Sequence, residues 1–154
     1  MSNFGHVQRI TREVGGRVIT FRSKGEYRWC VWCQLRKEQG IIKNWWYEDS
    51  GLIIRTRKFK NKKVYLPDFI VQMPDGSYEL EEFKGYFPAK DYTKLKLTAQ
   101  QYENPITLVF ANLTNCKSNR TQYSRAKRLE PHLKRVIYNA NRDIFKPIKH
   151  LFEV

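Results

Sequence analysis

The sequence predicts an α/β chain in which a mixed β-sheet is flanked by helices. Three observations carry that prediction. The patterned segments run in the order helix, strand, hairpin, helix, strand. A tight-turn signal, Pro74-Asp75-Gly76, separates two extended runs, with Gly76 free to take the positive φ of a sharp reversal. Ile106 to Phe110 is an unbroken apolar run, short enough for a strand buried on both faces. With 154 residues, 41% hydrophobic and 29% charged, the chain is expected to fold as one domain with a real core rather than remain disordered.

Taken in order, residues 1–20 place Arg9, Arg12 and Arg17 around Gly15-Gly16, which reads as a flexible basic arm ahead of a domain spanning 21–154. Val18 to Phe21 is an extended lead-in. Ser23 is a good N-cap and Glu26, three residues on, completes a capping-box spacing. The helix that follows has an apolar stripe at Tyr27, Cys30, Val31, Gln34 and Leu35, widened by Trp29 and Trp32, and stops at Gly40. Ile41 to Tyr47 is rich in β-branched and aromatic residues and reads as a strand; Glu48-Asp49-Ser50-Gly51 breaks it, and Leu52-Ile53-Ile54 starts another extended segment. Arg55, Arg57, Lys58, Lys60, Lys62 and Lys63 then form a basic run without an acid. Such a run is either a solvated loop or a cationic flank for phosphate.

Val64 to Tyr86 supplies the hairpin, and a helix from about Lys90 to Glu103 carries Lys90, Lys94 and Lys96. These lysines are either ordinary exposed charges or phosphate contacts. Residues 111–124 read as a polar loop, and Arg125 to Ile137 as a basic amphipathic helix. Residues 138–154 mix apolar and basic residues with no period that assigns them.

Charge narrows the function classes. Twenty-nine Lys and Arg against 15 Asp and Glu give a net +14, which favours a polyanionic partner, nucleic acid above all. An anionic membrane surface is the weaker alternative. No apolar run approaches the roughly 20 residues of a spanning helix, and no secretory segment opens the sequence, so the expected location is the cytoplasm. Cys30, Cys33 and Cys116 are an odd number with no ligand-spaced His, so packed thiols are expected rather than a disulfide framework or zinc site.

The chemistry resides in the hairpin. Side chains alternate along a strand, so Glu82 and Lys84 share one face while Glu79, Glu81 and Phe83 share the other. Asp68 and Glu82 offer the hard oxygen ligands that suit Mg²⁺, with Mn²⁺ as a substitute. Lys84 can orient a water or neutralise charge on a phosphoryl group. A lone Glu-x-Lys is usually an exposed ion pair; Pro67-Asp68 and the upstream Glu26 lift this one above that reading. Glu26 alone is equally at home as a cap. A one-residue slip would present Glu79 or Glu81 in place of Glu82.

Together, Phe21-Arg22-Ser23-Lys24-Gly25-Glu26, Tyr65-Leu66-Pro67-Asp68-Phe69 and Glu82-Phe83-Lys84-Gly85-Tyr86-Phe87 resemble the PD-(D/E)xK nucleases, and most closely the bacteriophage endonuclease I family of Holliday-junction resolving enzymes. The resemblance spans about Phe21 to Phe110; the chain beyond has no match, and 14 residues from Asp68 to Glu82 make a long hairpin for that family. It implies a restriction-endonuclease-like core, Glu26, Asp68 and Glu82 as metal ligands, and Lys84 as the catalytic lysine. It also implies a magnesium-dependent endonuclease that resolves four-way DNA junctions in recombination, in the host cytoplasm if phage-encoded. The partner state it implies is a domain-swapped homodimer combining Glu26 of one chain with Asp68, Glu82 and Lys84 of the other. The alternatives are a transposase-subunit-like or restriction-type nuclease of the same superfamily, or a non-catalytic basic DNA-binding protein.

Overall fold

The computed structural model describes residues 8–49, 51, 54–55 and 64–152, with the backbone alone at residues 54, 55 and 64. Residues 57–63, and with them Arg57, Lys58, Lys60, Lys62 and Lys63, lie outside the described residues, as do Leu52 and Ile53.

Where a flexible arm was expected over 1–20, the described part, from residue 8 on, is an ordered hairpin, and residues 1–7 lie outside the described residues. Strands β1 (Ile10–Val14) and β2 (Arg17–Phe21) pair as an antiparallel hairpin. Gly15 and Gly16, at φ +59° and +81°, make the reversal, the left-handed pair that a two-residue hairpin loop requires. Val14 and Phe21 are buried against the first helix, so the basic residues ride on an ordered element with an apolar underside. The double glycine read as flexibility is a tight turn.

Helix α1 (Lys24–Glu38) starts as expected: Ser23 is the N-cap and its Oγ accepts from Glu26 N–H. It ends in a Schellman arrangement, with Gly40 at φ +76°, Gly40 N–H to Lys37 O and Ile41 N–H to Arg36 O at 2.9 Å. The buried stripe is rotated from the expected one. Glu26, Trp29, Cys30, Cys33 and Arg36 face inward, while Val31, Gln34 and Leu35 are half-exposed. A charged residue at each end of the stripe hid it from a hydrophobicity pattern.

The central sheet has the order β3 (Asn44–Tyr47), β6 (Phe69–Gln72), β7 (Tyr78–Lys84), β8 (Ile106–Phe110), β9 (Arg135–Ile137). β3, β6 and β7 are antiparallel neighbours, whereas β7, β8 and β9 run parallel, so the sheet is mixed as expected. A separate short pair joins β4 (Ile54–Arg55) to β5 (Val64–Tyr65). Leu66-Pro67-Asp68 interrupts the apolar run between β5 and β6, where Pro67 has no N–H to give a ladder. The hairpin turn is the expected one, Gly76 standing at φ +91° and Met73 N–H reaching Ser77 O at 2.7 Å.

Alternation divides the core. Phe69, Val71, Phe83 and Val109 pack under α1; Ile70, Leu80, Leu108 and Phe110 pack against helices α2 (Ala89–Gln101) and α3 (Arg120–Leu129). β8 is buried along its whole length. The expected helix over 125–137 is also corrected: α3 ends at Leu129, Pro131 sits in a short turn, and Arg135–Ile137 adds a strand to the edge of β8. The C-terminal stretch folds into two helical turns, Asn141–Phe145 and Lys146–Leu151, which bring Phe145 onto Trp29 and Phe83. Among the described residues no helix is long and apolar enough to cross a membrane.

Candidate active site

Three elements deliver side chains to one end of the sheet: the first turn of α1, the end of β3, and the β6–β7 hairpin at the break before β6. Asp68 is central. Its Oδ2 accepts Phe83 N–H at 2.9 Å, its carbonyl accepts Glu48 N–H at 2.9 Å, and its own N–H donates to Glu82 Oε1 at 3.0 Å. Burial, then the negative charges of Glu82 and Glu26, push the Asp68 carboxyl well above its usual range, against the pull of Lys84 and the Phe83 N–H.

Glu82 and Glu81 are sorted by the register. Glu82 lies on the face of Lys84, whose Nζ is 3.6 Å from Glu82 Oε2 and 3.3 Å from Asp91 Oδ2 in the first turn of α2. Glu82 Oε1 also accepts the Tyr65 hydroxyl. Glu81 points the other way, into α1, where Arg36 grips it at 2.6 and 2.8 Å and Trp29 Nε1 donates at 2.9 Å. Burial would lower the Lys84 ammonium, but Glu82, Asp68 and Asp91 outweigh it and raise its pKa, so the lysine stays cationic.

Glu26 takes up its position through Tyr47, whose hydroxyl donates to Oε1 at 2.8 Å, and Ser23 Oγ, which donates to Oε2 at 3.2 Å. One carboxylate oxygen of Glu26 therefore reaches Tyr47 at the sheet end while the other meets the N-cap side chain of its own helix. Its backbone serves the cap while its carboxylate serves the cluster. Burial raises its pKa despite the Tyr47 hydrogen bond.

The sequence did not single out Glu48, which it placed in a turn. In the structure Glu26, Glu48 and Asp68 each present an oxygen within 4.8 Å of the other two. Glu48 sits at φ +44°, a left-handed backbone that is uncommon for a residue with a side chain. Its Oε1 is buried without a hydrogen bond among the described residues, although Arg22 Nε approaches it to 2.9 Å as an ion pair. Three convergent carboxylate oxygens have the hard, oxygen-only donor chemistry that suits Mg²⁺ or Mn²⁺. Glu82 is not one of this trio; it stands on the far side of Asp68, toward Lys84. No protein-family model, curated protein or solved structure matches this chain.

Of the cations expected to meet DNA, Arg22 is beside the cluster and exposed. Arg9 and Arg12 are exposed at the start of the hairpin, and Lys90 is exposed on α2, with Lys94 and Lys96 half-exposed. Arg17 is committed elsewhere: it donates to Trp45 O at 2.7 Å and Asn44 Oδ1 at 2.9 Å, and lies over the Trp45 ring at 3.9 Å. Arg55 belongs to β4, through its backbone alone. Cys30 and Cys33 are buried free thiols in α1, and Cys116 is exposed.

Proposed function

We propose that this chain is a metal-dependent endodeoxyribonuclease with a PD-(D/E)xK core, selective for branched four-way DNA, working as a homodimer. The observation that carries the reading is the convergence of Glu26, Asp68, Glu82 and Lys84 at one sheet end of a chain with net charge +14. Segments 42 residues apart in sequence, from Glu26 to Asp68, meet there.

Glu26, Glu48 and Asp68 would hold the divalent cation. When bound, such an ion acidifies a water and offsets charge on the phosphoryl oxygens and the leaving group. Everything else falls to the chain. Lys84, kept protonated by three carboxylates, stands beside Glu82 on the other side of Asp68 from Glu26 and Glu48 and would offer a cationic donor to a non-bridging phosphate oxygen. Glu82, fixed by the Asp68 N–H and the Tyr65 hydroxyl, orients Lys84 through its second oxygen. Tyr47 and Ser23 fix Glu26. In the hydrolysis a bond forms from a water oxygen to phosphorus, the phosphorus bond to one bridging oxygen breaks, and the water's protons pass to solvent and the leaving alcohol.

A homodimer would set two such sites against two strands, as symmetrical nicking of a four-way junction needs.

The test is cleavage of an end-labelled four-way junction beside a duplex of the same sequence, with Mg²⁺ and with chelator. Metal-dependent paired nicks in the junction, with the duplex spared, are expected, as is loss of cutting with binding kept in Asp68→Asn. Equal cutting of both DNAs would overturn junction selectivity. Tight binding without cutting under any divalent ion would leave a DNA-binding protein.

A further inference from the structure

The C-terminal turns and the outer side of α1 enclose a groove of about 500 Å³. Arg28, Arg142, Lys146 and Lys149 line it, with Phe145 and Phe152 forming its apolar wall. We propose that this groove seats the sugar-phosphate backbone of the DNA strand flanking the scissile phosphate; the proposal rests on the nuclease reading for the identity of that strand.

Arg142 pairs with Asp143 at 2.7 Å, and Arg28 and Lys146 present their charges at the groove beside it. Arg28 lies over the Phe152 ring, its guanidinium carbon 5.8 Å from the centroid, so the ring braces the cation at the groove edge. Two guanidinium groups and two ammonium groups suit a row of phosphates, the planar forks giving two-point contacts and the lysines point charges. A duplex strand presents a phosphate about every 3.4 Å along the helix axis.

Position ties the groove to the candidate active site. Arg28 follows Glu26 by two residues on α1, so the two share the first turns of the helix while their side chains leave opposite sides of it. Phe145 stacks on Phe83 with centroids 6.2 Å apart, and Phe83 N–H is the group that holds Asp68. Gly25 lets the helix come this close: a Cβ there would lie 2.3 Å from the Phe83 ring. Phe83 thus links the two: its ring packs on Phe145 of the groove wall and its backbone N–H holds Asp68. None of Arg28, Arg142, Lys146 and Lys149 falls in the stretches that the sequence assigned to DNA.

The test is the Arg28→Gln/Lys146→Gln variant of the full chain, measured by fluorescence anisotropy on a labelled four-way junction in chelator from about 50 to 200 mM salt. The expected result is a salt slope smaller by about 2, one per cation removed, with affinity lower on the order of tenfold at the low-salt end. A charge-matched control, Lys43→Gln/Lys117→Gln, removes two exposed cations outside the groove and is expected to keep the wild-type slope. The proposal is overturned if the two pairs behave alike. Arg28→Lys/Lys146→Arg keeps the charges and should bind as wild type; a loss there equal to the glutamine pair would mean a packing defect and overturn it. So would a glutamine pair that binds the junction normally but loses binding to phosphatidylserine vesicles. A wild-type chain that binds with this groove dependence and cuts nothing leaves the groove standing while the nuclease reading falls. One that cuts the junction while the glutamine pair binds unchanged removes the groove alone.

Discussion

Glu81 and Glu82 are chain neighbours with opposite work. Alternation along β7 sends Glu81 under α1 to Arg36 and Glu82 toward Lys84. The Glu81–Arg36 pair is buried, so removing one partner strands a charge. Glu81→Ala is expected to destabilise the fold by about 3–5 kcal/mol in urea unfolding, and Arg36→Met/Glu81→Met to recover most of that. Burial raises the Glu81 carboxyl, but Arg36 and Trp29 outweigh it and its pKa falls below the ordinary 4.5. A depressed carboxylate stabilises the fold above its unfolded pKa, and that contribution is lost as acid drives it below the native value. The Glu81 contribution should therefore fade below about pH 4.5, so the difference in stability between wild type and the Met pair should shift toward the Met pair there. Cys116 offers a second reading at this scale. Hydrogen bonds with Ser118 and Thr114 lower its thiol to about 7, whereas burial raises Cys30 and Cys33. Alkylation should label Cys116 alone, half-maximal in rate near pH 7, with Cys30 and Cys33 reacting only after denaturation. Reactivity of either helix thiol in the folded chain would contradict their burial.

Among the elements, those with a strong period were legible and those formed by docking were not. The β6–β7 hairpin followed from its turn residues and β8 from its unbroken apolar run. The C-terminal turns carry no period because Phe145, buried, and Ile144 and Phe152, half-buried, insert into a core built by other segments. Phe145→Ala should cost about 3–5 kcal/mol and leave α1 less protected in hydrogen exchange, since it removes an edge contact to Trp29 and a stack on Phe83. An unchanged midpoint in urea would mean that the tail docks without contributing. β9 was missed for a related reason: its three residues gain from pairing with the edge of β8, while Leu129, Leu133 and Val136 imitate a helix period. Pro131 was the available signal that the helix stops earlier. In the candidate site, Asp68, Glu82 and Lys84 were readable from spacing, but Glu48 resembled a turn residue because its role comes from a left-handed backbone that only the tertiary fold imposes.

Across the whole molecule, charge is distributed against its own average. A chain of net +14 gathers Glu26, Glu48, Asp68 and Glu82 at one sheet end, where burial and mutual repulsion raise the Asp68 and Glu26 carboxyls. Among the described residues, Lys84 on one side and Arg22 on the other pair with the cluster. A divalent ion that relieves the repulsion should bind the folded chain and not the unfolded one. At a hundredfold excess over its dissociation constant it would stabilise the fold by about 2.7 kcal/mol, roughly 5–11 °C in melting temperature for a chain of this size. Asp68→Asn should raise or keep the metal-free melting temperature, because it removes one of the repelling charges, and should abolish most of the Mg²⁺ shift. Glu48→Gln should weaken the shift as well, which distinguishes the trio of Glu26, Glu48 and Asp68 from a site built on Glu82. Equal shifts in wild type and both variants would place the ion elsewhere and separate the acidic cluster from metal binding.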